Sequence, residues 1–172
     1  MTAQPWWTLA GVVIGFSLGE GTRYARYRWD IHRNKRLVRE ELKSALAQLP
    51  QKKEILVKAK SSLGRKGTLD MQSVHVNTKG YSAVLEALYP HLTLVERNCL
   101  HVIYERLRVV DAFMDSFERD FLEVLRNAQL SDPWNGFQGR IDDQLRSLDV
   151  VAQLASAYLA RQPIDVFGVE KT

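Results

Sequence analysis

The chain has 172 residues, 45% of them hydrophobic, enough for one compact domain with a packed core beside a short accessory segment. Its formal charge of +4 gathers between Arg23 and Arg39, directly after an apolar run, which favours anionic lipid headgroups over nucleic acid. The one cysteine, Cys99, excludes an internal disulfide and suits a reducing cytosol.

The first element runs from Pro5 through Trp6 and Trp7 into Leu9-Ala10-Gly11-Val12-Val13-Ile14-Gly15-Phe16-Ser17-Leu18-Gly19. Gly11, Gly15 and Gly19 recur at every fourth position and share a helical face with Thr8 and Thr22. Such a face lets two helix backbones approach closely in lipid. Arg23, Arg26, Arg28, Arg33, Lys35 and Arg36 follow as a basic collar for lipid headgroups. Tryptophan at one boundary and arginine at the other predict a transmembrane anchor with the N-terminus outside and the body cytoplasmic, at the inner membrane. Trp6 to Gly19 makes about 21 Å of helix, and extension to Ala25 is needed to reach the ~30 Å of a hydrocarbon core. That extension requires Arg23 to snorkel to the interface and Glu20 either to follow it or to line an oligomeric pore. A secretory signal is disfavoured, because positive charge follows the run instead of preceding it and no small-residue cleavage site appears.

Pro50 is the first strong punctuation after the anchor, so the first helix is expected to end at Leu49, with Ile31, Val38, Leu42, Ala45 and Leu49 along its inner side. A second helix is expected over Gln51 to Leu63, then a turn from Gly64 to Thr68 and a loop in which Ser73 to Asn77 is briefly extended. The next helix spans Thr78 to Leu88 and stops at Pro90. Thr93 and Glu96 form a capping box. Beyond it Leu100, Ile103, Leu107, Val110, Met114, Phe117, Phe121 and Val124 alternate spacings of three and four, a seam longer than three heptads. Asp132-Pro133 marks the final start, with Gly136 and Gly139 delaying the helix to Arg140. Ile141, Leu145, Leu148, Ala152, Ala155 and Leu159 give it a matching seam, which Pro163 ends. The expected architecture is all-α, an N-terminal transmembrane helix continuing into a cytoplasmic bundle of four to five helices. Its divisions are an anchor over 1–26, a bundle over 27–163 and a loose tail over 164–172.

A polar stripe runs beside the long seam: Arg97, His101, Tyr104, Arg108, Asp111 and Asp115. As an ordinary polar face it would be neutralised by Arg108 pairing with Asp111 and Asp115. As a site, an arginine and a histidine on adjacent turns can grip a phosphate and move a proton. The run Arg97-Asn98-Cys99-Leu100-His101 on a long bundle helix resembles the arginine-polar…histidine motif of the HEPN superfamily, although three residues separate the pair, fewer than that family usually places. The resemblance implies a metal-independent ribonuclease in which Arg97 and His101 are catalytic. More broadly, a glycine-rich span joined to such a bundle resembles membrane-anchored accessory proteins of bacterial antiviral defence. No metal site is expected, since His32, His75, His91 and His101 lie far apart and Cys99 has no companion. No cofactor is expected either, as Gly64 and Gly67 lack the spacing of a phosphate loop.

The glycine face and the basic collar decide the functional expectation. It is a single-pass membrane protein that self-associates through anchor and bundle, acting as a structural or effector element, with a membrane-tethered HEPN-like ribonuclease as the alternative. The expected partners are membrane lipids, further copies of the chain and a protein from the same operon.

Overall fold

The computed structural model describes residues 4–65, 75–76, 78–126 and 133–166. Among them are four helices and no strand: α1 (Gln4–Gly64), α2 (Lys79–Leu88), α3 (Leu94–Arg126) and α4 (Pro133–Ala160), with a 3₁₀ turn at Tyr89–His91. The helices run up, down, up and down. The α4 helix packs against both α1 and α3, while α2 packs against α1. Cross-links record the directions. Lys60 Nζ meets Asp142 Oδ1 at 2.6 Å and Lys53 meets Asp149, so α1 and α4 are antiparallel. Arg106 Nη1 donates to Ser147 Oγ at 3.2 Å, and Phe121 lies edge-on to Trp134 at 4.9 Å, so α3 and α4 are antiparallel as well.

The expected break at Pro50 is corrected: α1 continues through it as one helix. The reason lies in the buried face, which reads Val38, Leu42, Ala45, Leu49, Lys52, Leu56, Ala59 and Leu63 in alternating steps of four and three without a fault. Pro50 itself is exposed, so its ring takes no place in the packed face. The α4 helix splints both halves, with Asp149 and Asp142 beyond the proline and Tyr158 beside Arg39 before it.

The α3 seam is as expected. Leu100, Ile103, Leu107, Val110, Met114, Phe117 and Phe121 are buried and Val124 packs against them. The capping box is reciprocal, Thr93 N–H donating to Glu96 Oε2 at 2.8 Å and Glu96 N–H to Thr93 Oγ1 at 3.2 Å. The expected start of α4 at Arg140 is corrected to Pro133. Phe137, fully within the extra turns, packs edge-on against Phe117 and Phe121, and that burial outweighs the low helix propensity of Gly136 and Gly139. The tail expected to be loose is docked at its beginning: Ile164 packs against the core and Val166 is buried. Expectations for 66–68, for most of 73–77, for Asp132 and for 167–172 lie outside the described residues.

Two buried polar contacts lock the layers. Lys52, 2% exposed, occupies a core position of α1 and its Nζ donates to Asp111 Oδ1 at 2.6 Å; Asp111 is 8% exposed. The other carboxylate oxygen of Asp111 accepts from Val76 N–H at 2.9 Å, which pins the segment between α1 and α2 onto α3. The expected pairing of Arg108 with Asp111 and Asp115 is therefore corrected. Arg108 Nη2 meets Glu105 at 2.7 Å, and Asp115 meets His75 Nε2 at 3.1 Å. Nearer the other end, Tyr81 of α2 stacks on Tyr104 of α3 at 3.9 Å. Glu41 accepts from Tyr81 N–H at 2.7 Å, serving the start of α2 as a cap supplied from α1. A Cβ on Gly80 would stand 2.5 Å from Glu41 Oε2 and 2.6 Å from Leu37 Cδ2, so glycine permits this approach of α2 to α1.

Candidate functional site

The N-terminal third of α1 leaves the bundle uncovered. Trp6 is 77% exposed, Trp7 82% and Phe16 71%, and Leu9, Val12, Val13, Ile14 and Leu18 are exposed as well. These residues cover every side of the helix except the face of Gly11, Gly15 and Gly19; none packs on α2, α3 or α4, and burial begins only at Ile31. Gly11, Gly15, Gly19 and Gly21 meet nothing within 4 Å of an added Cβ, so nothing in this chain requires their small size. Each glycine costs a helix in water about 1 kcal/mol relative to alanine. Thr22 Oγ1 donates to the Gly19 carbonyl at 2.8 Å. The Thr8 side chain lies outside what the structure describes.

The expectation of a transmembrane span is corrected on its own terms: no helix among the described residues is long and apolar enough to cross a membrane. The stretch from Leu9 to Leu18, apolar except for Ser17, makes about 15 Å of helix, half of a ~30 Å hydrocarbon core. The residues needed to extend it include Glu20 and Arg23. These two pair with each other at 3.3 Å in an exposed (i, i+3) contact.

The basic collar follows where α1 enters the bundle. Arg26, Arg28, Arg33 and Arg36 are exposed, and none makes an ion pair among the described residues. Lys35 differs from the expectation: its Nζ donates to the His91 carbonyl at 2.7 Å, so the fold uses it. The His91 ring in turn bonds Tyr27 Oη at 2.7 Å and lies edge-on to the Tyr27 ring. His91 thus latches the 3₁₀ turn onto α1 at two points about two helical turns apart. Beside the latch is a cavity of about 420 Å³ lined by Tyr24, Arg28, Ile31 and His32 as well as the latch residues. Sequence reasoning missed the latch because its partners stand 56 and 64 residues apart.

A second cavity, about 590 Å³, opens at the same end of the bundle among Arg39, Glu96, Tyr158 and Arg161. Arg161 closes α4 with φ 55°, while Gln162 N–H donates to Ala157 O at 3.0 Å and Arg161 N–H to Tyr158 O at 3.3 Å. Burial first, and then the Glu96 charge, push the Tyr158 phenol up to about 12. Burial pushes the Cys99 thiol up to about 11, which keeps it protonated and unreactive at neutral pH.

Neither Arg97 nor His101 lines either of the two cavities described above. Arg97 Nε donates to the Leu92 carbonyl at 3.0 Å, and its guanidinium lies over the Tyr89 ring at 4.2 Å. His101, one turn on, is exposed. No group of three or more His, Cys, Asp or Glu side chains that could hold a metal occurs among the described residues. In comparisons with known proteins the chain matches no family model, no curated protein and no solved structure.

Proposed function

We propose that this chain is a membrane-docked, self-associating helical protein, its N-terminal rod lodged in lipid and its bundle standing on the cytoplasmic face of the inner membrane. The observation that carries the reading is the exposure of Trp6, Trp7, Leu9, Val12, Val13, Ile14, Phe16 and Leu18 on a helix whose remainder builds the bundle core. Burying a large apolar side chain is worth roughly 1.5–3 kcal/mol, so covering eight of them releases on the order of 10 kcal/mol, comparable with the stability of a whole domain. The large apolar side chains cover about two thirds of the rod's circumference, and the face of Gly11, Gly15 and Gly19 makes up the rest, with tryptophan at the tip and arginines at the base, the polarity order of a lipid leaflet.

The run is short for one helix, and association offsets that deficit. Copies meeting at Gly11, Gly15 and Gly19 exchange lipid contacts for close backbone packing, and the Glu20–Arg23 pair reduces the charge carried toward the hydrocarbon. Such an assembly serves as a structural or effector element, and the likeness to accessory proteins of antiviral defence makes that the proposed setting. The engagement of the Arg97 side chain by Tyr89 and Leu92 weighs for this reading over RNA cleavage.

Flotation with phosphatidylcholine vesicles tests the docking. The full chain should rise with the vesicles, and Ile14→Asp plus Phe16→Asp should leave it in the aqueous fraction. Gly11→Leu plus Gly15→Leu should still float but should lower the mass of the detergent-extracted complex. A parent chain that stays monomeric and does not float would overturn the reading.

A further inference from the structure

The cavity beside the His91 latch is chemically one-sided. Arg28 and His32 stand one helical turn apart, both exposed toward it, with Tyr24 a turn before Arg28 on the same face. Neither Arg28 nor His32 makes a hydrogen bond or ion pair among the described residues, and no carboxylate lines the cavity. The opposite wall is different. There Lys35 and Tyr27 are already committed to His91, which holds the turn at a set distance from α1 and keeps the cavity open. At about 420 Å³ it lies within the range of small-ligand pockets, roughly 300–1,000 Å³. A planar guanidinium with paired donors, an imidazole and a phenol facing one space is a donor set for a phosphate group.

Position narrows the source of that phosphate. The cavity opens at the level where the uncovered rod meets the bundle, and side chains on α1 lean toward its N-terminus, here toward the apolar end. We propose that this cavity seats the phosphate of an anionic lipid headgroup, gripped by Arg28 and His32 against Tyr24. The inference rests on the docking reading above. It adds that attraction to acidic lipid is focused in one built pocket, while Arg33 and Arg36 contribute only general charge.

Vesicles of phosphatidylcholine alone, and of phosphatidylcholine mixed with phosphatidylglycerol, separate the two claims. The full chain should bind both kinds and prefer the acidic one. Arg28→Gln plus His32→Gln should reduce the preference at least tenfold, while Arg33→Gln plus Arg36→Gln, which removes at least as much charge, should reduce it less. Glycerol 3-phosphate should compete with acidic vesicles for the parent and not for the Arg28/His32 variant. Thermal unfolding of both variants in detergent should match the parent, because the altered side chains support no contact in the bundle. Equal losses from the two double variants, or equal binding of both vesicle types by the parent, would overturn the pocket and leave docking intact. Competition by inorganic phosphate without any preference for acidic vesicles would assign the site to free phosphate and overturn the lipid source. Failure to bind either vesicle would overturn both claims.

Discussion

Removing the Asp111 carboxylate is the sharpest available perturbation of the bundle. Lys52 Nζ is 2.6 Å from Asp111 Oδ1 with both side chains nearly excluded from water, and Val76 N–H depends on the other oxygen at 2.9 Å. Breaking a buried pair from one side costs roughly 3–5 kcal/mol, because the surviving charge cannot regain its hydration. A stranded backbone donor adds about 1–3 kcal/mol. Asp111→Ala should therefore lose about 4–8 kcal/mol, a large part of the ~5–15 kcal/mol that holds a domain together. For a chain of this length that corresponds to a melting shift of roughly 8–32 °C. The pair need not itself be stabilising. Lys52→Met with Asp111→Leu removes both charges at once, and such replacements are often neutral, so the double variant should recover all but the Val76 share of the loss. Urea unfolding of the full chain in detergent, followed by circular dichroism, measures all three proteins. The reasoning fails if Asp111→Ala stays within about 1 kcal/mol of the parent, or if the double variant is no more stable than the single one.

Two further expectations concern the ends of helices. Burial raises the Glu41 carboxyl above its ordinary value despite the lowering effect of the Tyr81 and Gly80 backbone donors, so the folded chain holds this proton more tightly than the unfolded one. The stability linked to Glu41 is therefore full below its unfolded value and lost as pH rises through the folded value. Urea titrations at several pH values should show Glu41→Gln gaining on the parent as pH rises across that window; a difference independent of pH would refute the assignment. Arg161 adopts φ 55° at a position where glycine carries no Cβ penalty, so Arg161→Gly should gain about 1 kcal/mol, and an unchanged urea midpoint would show the strain to be absent.

What was legible in the sequence follows the range of the interactions involved. The α3 seam could be read residue by residue, because each step of three or four is a local fact and every position from Leu100 to Val124 obeys it. Pro50 misled for the same reason. The proline rule is local, but the continuous seam from Val38 to Leu63 and the α4 splint decide the outcome. That seam was itself visible, and following it through Pro50 would have placed Lys52 in the core. Its partner Asp111 could not be found this way, since it sits beside the α3 seam and takes its identity from a segment pinned across the bundle. The uncovered rod was legible as an apolar run with a basic collar. The division of labour within that collar was not, because it depends on His91 reaching back across the chain to withdraw Lys35 while leaving Arg28 and His32 free.

The uninterrupted course of α1 makes the chain a lever. Its 61 residues form a rod about 90 Å long, bare along its N-terminal third and held beyond it, above all by α4. From the latch at Lys35 to Gly64 the arm is about 44 Å, so a 10° tilt imposed on the bare end swings the far end by roughly 8 Å if the latch acts as the fulcrum. Rotation about the rod axis would be carried just as directly, since there is no loop between the two parts to absorb it. A rearrangement among docked rods would thus be delivered, with little attenuation, to the surface formed by the distant ends of α1, α3 and α4.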